Sequence, residues 1–172
     1  QNGGYVAFIG NSVKNQGNIQ APGGAVAFGA GSDVTLAFSG NNLVKLQVNQ
    51  STLNTLADNG GLIQADGGAV LLSAGARDAV LASVVNNTGI IQARSVQNVN
   101  GTIVLDGGNA GAVSNSGKLD ASGKNAGETG GTVKVLGRAV TLAAGSSVDI
   151  SGDAGGGTAL VGGNFLDRKS VV

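Results

Sequence analysis

The chain has 172 residues, with 32 Gly and 1 Pro, 41% apolar but only 3% aromatic side chains, and ten basic against ten acidic residues for a formal net charge of zero. That balance excludes a disordered linker, which is poor in β-branched residues and high in net charge. It excludes collagen, which needs a strict glycine period with abundant proline. With no basic stripe, few aromatics, no His and no Cys, it also argues against nucleic-acid binding, histidine-based catalysis, zinc clusters, thiol chemistry and disulfides.

No apolar run reaches the ~18 residues that a membrane-spanning helix requires. The chain opens at Gln1 without a signal-like stretch and reads as a piece of something longer or as a processed chain.

In chain order, the first element is an alternating apolar run, Val6-Ala7-Phe8. A repeat phrase follows at Asn15, "NQGNIQAPGGAVAF". It returns as "NGGLIQADGGAVLL" at Asn59, "NTGIIQA" at Asn87, "NSGKLDASG" at Asn115 and, degenerately, "GSSVDISG" at Gly145. The unit is Asn, any residue, Gly, any residue, Ile or Leu, any residue, Ala. Each copy is succeeded by a Gly-rich spacer and a second run: Val26–Phe28, Val70–Leu72, Ile103–Leu105, Val133–Val135 and Ala159–Val161. The anchors Gly17, Gly61, Gly89, Gly117 and Ser146 are separated by 44, 28, 28 and 29 residues.

A period near 28 with apolar spacing of two points to a stacked solenoid of strands. Helical repeats would need a spacing of 3.6. Propeller blades would need about 40 residues. The expected fold is all-β, a parallel β-helix of about six coils, on the order of 29 Å tall at roughly 4.8 Å per coil. Alternation then predicts four inward columns. Ile19, Ile63, Ile91, Leu119 and Val148 form one, and Ala21, Ala65, Ala93, Ala121 and Ile150 the next. Val26, Val70, Ile103, Val133 and Ala159 form the third, beside Phe28, Leu72, Leu105, Val135 and Val161. Asn15, Asn59, Asn87 and Asn115 share one corner, where Asn tolerates tight turns and stacked amides can bond between coils.

The 44-residue interval holds an excursion over residues 38–58. It is expected as a strand from Leu43 plus a short helix from Ser51, with Ser51 as N-cap and Leu53 and Leu56 on one face. A further helical turn is expected at Asp78–Val85. Residues 1–165 form a single β-helix domain, and 166–172 an irregular tail.

Beyond generic solenoid character, "GGYVAFIGNSVKNQGNIQAPGGAVAFGAGSDVTLAFSG", "NGGLIQADGGAVLLSAGARDAVLASVVNNTGIIQARSV" and "TGGTVKVLGRAVTLAAGSSVDISGDAGGGTALVGGNF" resemble large bacterial exoproteins of the filamentous haemagglutinin type, exported by two-partner secretion. The resemblance runs from Gly3 to about Phe165. It implies a right-handed β-helix in a secreted or cell-surface protein, with an outer-membrane two-partner secretion transporter as partner. Relatives of this type are adhesins, haemolysins or carriers of contact-dependent toxins. The family motifs Asn-Pro-Asn-Gly and Asn-Pro-Asn-Leu are absent, since the single proline, Pro22, follows Ala21. The piece is therefore expected to span the end of the secretion domain and the start of the stalk.

The outward position between the inward columns reads Gln20, Gln64, Gln92, Asp120, Asp149. Asp120 and Asp149, one coil apart, are the candidate pair for holding a metal or sharing a proton, with Lys118 and Lys134 as basic neighbours. The alternative is a solvated face of stacking amides. No Walker loop, nucleophile elbow or tandem calcium nonapeptide occurs. Two glycosylation-type triplets begin at Asn49 and Asn86. The expectation is a non-enzymatic structural segment of an adhesin, without catalytic residues, cofactor or metal, carrying a module that meets a host receptor or glycan. The alternatives are the stalk of a contact-dependent toxin and, in another class, a carbohydrate-active β-helix. Open coil ends also predict end-to-end self-association.

Overall fold

The computed structural model describes residues 3–39, 42–50, 54–75 and 83–163. Period-two alternation and corner glycines give short strands separated by sharp turns, and the chain winds through three of them per coil. Coil one is β1 (Tyr5–Gly10), β2 (Ser12–Asn15) and β3 (Asn18–Gln20). Coil two starts with β4 (Ala25–Ala30), leaves the stack as the ribbon β5 (Asp33–Ser39) and β6 (Asn42–Gln50), and returns as β7 (Leu56–Asn59) and β8 (Leu62–Gln64). Coil three is β9 (Ala69–Ala74), β10 (Ser83–Asn87) and β11 (Ile90–Gln92), and coil four β12 (Thr102–Asp106), β13 (Ala112–Asn115) and β14 (Lys118–Asp120). Coil five is β15 (Thr132–Leu136), β16 (Ala139–Leu142) and β17 (Ser147–Asp149), and β18 (Thr158–Gly162) opens a sixth.

Like strands pair in parallel from coil to coil. The first sheet runs β1-β4-β9-β12-β15-β18, the second β2-β7-β10-β13-β16 and the third β3-β8-β11-β14-β17. The fold is a parallel β-helix. Among the described residues there is no helix, and so none long and apolar enough to cross a membrane.

The inward columns follow the register. Val26, Val70, Ile103, Val133 and Ala159 are successive partners, as are Phe28, Leu72, Leu105, Val135 and Val161. In the third sheet Ile19, Ile63, Ile91, Leu119 and Val148 align. Ala65, Ala93 and Ala121 are fully buried after it, flanked by the partly buried Ala21 and Ile150. Val13, Ala57, Val85 and Val113 close the core from the second sheet. Each large buried aliphatic contributes about 1.5–3 kcal/mol of transfer free energy.

The excursion differs from its expectation. It is an antiparallel ribbon of β5 and β6, already under way at Asp33, with register irregularities at Asp33/Val34 and Ala37/Phe38. Leu36, Leu43 and Leu46 pack on Ala25, Ala27 and Leu71, covering the outer face of the first sheet. Gly29 has no side chain because a Cβ there would lie 2.8 Å from Val34 Cγ1. Of the expected helix from Ser51, residues 51–53 lie outside the described residues, while Leu56 and Ala57 are strand. Ala57 must face inward to join Val13 and Val85 in their column, and that pairing overrides the weak helical spacing. The helical turn expected at Asp78–Val85 falls partly on residues 76–82, outside the described residues. Its remainder, Ser83–Val85, is strand β10.

Candidate functional site: the outward polar ladder of the third sheet

The strands of the third sheet have three residues each. The middle one points inward, so its neighbours point out. The register brings Gln20, Gln64, Gln92, Asp120 and Asp149 into one outward column. Their amides and carboxylates do not stack uniformly. Gln20 Nε2 reaches Gln64 Oε1 at 3.5 Å, an exposed and weak contact. Gln64 and Gln92 instead donate from Nε2 to Asp66 Oδ2, each at 2.8 Å.

Asp66 is the centre of this ladder, and the repeat phrase alone did not mark it. Besides the two amides, it accepts the Arg94 backbone N–H (2.9 Å), Nε (3.3 Å) and Nη2 (2.9 Å). Burial pushes its carboxyl upward, but the donors from Arg94, Gln64 and Gln92 outweigh that and hold it down at about 2. Arg94 is raised above its usual value, mainly by its hydrogen bond to Asp66.

Asp120 and Asp149 are adjacent but turned into their own corners. Asp120 Oδ1 accepts the Ser122 N–H at 3.0 Å and its hydroxyl at 2.6 Å. Asp149 Oδ1 accepts the Ser151 N–H at 3.0 Å and its hydroxyl at 2.7 Å. The serine donors hold Asp149 below its usual range, helped by Lys124.

The basic neighbour of Asp120 is Lys124, at 3.7 Å from Oδ2. Lys134, expected in that role, lies on β15 in the first sheet between Val104 and Leu160, away from the ladder. Lys118 sits on the same strand as Asp120, in the other outward column. Among the described residues no group of three acidic, His or Cys side chains could hold a metal ion.

Inside the corner, Asn15, Asn59, Asn87 and Asn115 form a buried stack. The Nδ2 groups of Asn15, Asn59 and Asn87 donate to the Oδ1 of the next Asn in the stack, at 2.8, 2.8 and 2.7 Å. Each also donates to the carbonyl of the Gly two residues on. Those glycines stand so close that a Cβ on Gly89 would overlap the Gly61 carbonyl oxygen. The stack ends where Leu142 takes the place after Asn115.

A second brace was also unmarked in the sequence. Glu128 is buried. Its Oε1 accepts from Asn125 Nδ2 and the Gln97 N–H, each at 2.8 Å, and its Oε2 from the Asn125 N–H at 3.0 Å. The Asn125 side chain leads in holding its carboxyl down. The brace ties the corner after coil three to the corner after coil four. The signal for Asp66 and Arg94 was present: aligning "IQAD" at Ile63 with "IQAR" at Ile91 puts opposite charges one coil apart. For Glu128 no repeat position gave such a signal.

The TPS secretion domain family matches residues 1–121 of the chain. No curated protein matches it.

Proposed function

The chain belongs to the TPS secretion domain family, and from that premise we propose that it is the structural, non-catalytic base of a large adhesin. The family is one of two-partner secretion exoproteins, so the protein is secreted or cell-surface and its export partner is the TpsB transporter of the outer membrane. Adhesion to host cells, other bacteria or surfaces resides in a module beyond this chain. Residues 1–165 act as one β-helix domain; residues 166–172, expected as its tail, lie outside the described residues.

One observation supports the structural reading above the rest. The outward ladder from Gln64 to Asp149, where a β-helix enzyme would place its carboxylates, spends its hydrogen bonds on the coils themselves. A group so engaged is held in one orientation against its own coil, which suits stacking rather than reaching out to a substrate.

The test is adhesion by parts. Beads coated with this chain should bind host epithelial cells no more than bare beads, while beads coated with the full-length exoprotein bind. Equal binding by both coated sets would contradict the proposal.

A further inference from the structure

The first three copies of the repeat carry the same residues at their ladder positions: Asn, Gly, Ile, Gln and Ala recur at 15–21, 59–65 and 87–93. β11 could stack on β3, with β8 looped out, and keep the Asn bonds, the inward Ile column and the Ala column. Strand register is weakly specified where successive strands offer the same pattern. Among the positions that vary between the copies, the one after the Ala sets opposite charges in successive coils: Pro22, Asp66, Arg94.

We propose that the Asp66–Arg94 pair is a register lock, admitting only the coil that carries Asp66 as the neighbour of the coil that carries Arg94. Asp66 gathers five donors, four of them from coil three: Gln92 Nε2 and the Arg94 N–H, Nε and Nη2. The planar guanidinium suits a two-point grip on a carboxylate. In the slipped stack Arg94 would face Pro22, which offers no carboxylate, and the Gln92 amide would lose its acceptor. The side chains are 35% and 15% exposed, so the loss is not fully repaid by water. Specifying register is also the best-attested use of a part-buried polar pair.

The chain has no cysteine, so an engineered pair reports register alone. Leu62 has Asn18 as its partner on one side and Ile90 on the other. After refolding and oxidation, a Leu62→Cys/Ile90→Cys chain forms its disulfide in the native register. An Asn18→Cys/Ile90→Cys chain forms one only after a slip. Adding Arg94→Asp should raise the ratio of slipped to native disulfide at least about tenfold, and adding Asp66→Arg as well should return it to the starting value. The lock is overturned if Arg94→Asp leaves the ratio unchanged, if both disulfides vanish together, or if the reversed pair fails to suppress the slipped product.

Discussion

Asn87 sits mid-stack, accepting from Asn59 and donating to Asn115. Asn87→Leu removes both bonds and strands two buried amide groups, which costs about 2–4 kcal/mol. Asn115→Leu should cost less, because its far neighbour is already Leu142. Urea unfolding of the two variants checks the order. Asp66 makes a pH prediction. Its carboxyl is lowered in the folded chain to about 2, so the folded state favours the charged form. The stabilisation is complete above the unfolded carboxyl value near 4 and is lost as pH falls toward 2. It amounts to about 1–2 kcal/mol after allowance for screening. Melting temperatures from pH 5 to 2 should fall more steeply for the natural chain than for Asp66→Asn, and parallel curves would contradict the assignment. At this scale legibility depended on recurrence. The Asn column was readable because it recurs in four coils. Asp66 is legible only through the charge contrast of "IQAD" with "IQAR" one coil on, and Glu128, which acts once, leaves no period to read.

At the scale of elements, the ribbon of β5 and β6 is fastened to the first sheet by Leu36, Leu43 and Leu46. Leu43 is buried, and Leu43→Ala should cost about 2–3 kcal/mol. Hydrogen exchange locates that cost: amides of β5 and β6 should exchange faster while those of β8 and β11 keep their protection. Equal acceleration in all four strands would mean that the ribbon and the stack unfold as one unit. The coil strands were readable because alternation, corner glycines and a 28-residue period agree. The ribbon was half readable. "LVKLQV" announced a strand, but "DVTLAFS" has the same alternation as a coil strand, and alternation does not say which sheet a strand joins. The expected helix rested on Leu53 and Leu56 three apart, a spacing too short to outweigh the inward demand on Ala57.

For the whole molecule, a stack of coils should gain stability roughly as a sum of coils and interfaces. The columns are fully buried through the middle coils and open toward the ends: Phe8 is 44% and Val161 49% exposed, while Leu72 and Leu105 are fully buried. Leu105→Ala should therefore cost about 3–5 kcal/mol and Val161→Ala well under 1, a contrast that thermal melting reads directly. The position of this stack in a secretion domain leads to the decisive measurement. The chain, fused behind a signal peptide and ahead of a reporter, should be produced with and without its TpsB transporter, and reporter in the medium measured. Release is expected only with the transporter, and should be lost when the repeat region Asn15–Asp120 is deleted. Release without the transporter, or undiminished release after that deletion, would contradict that expectation.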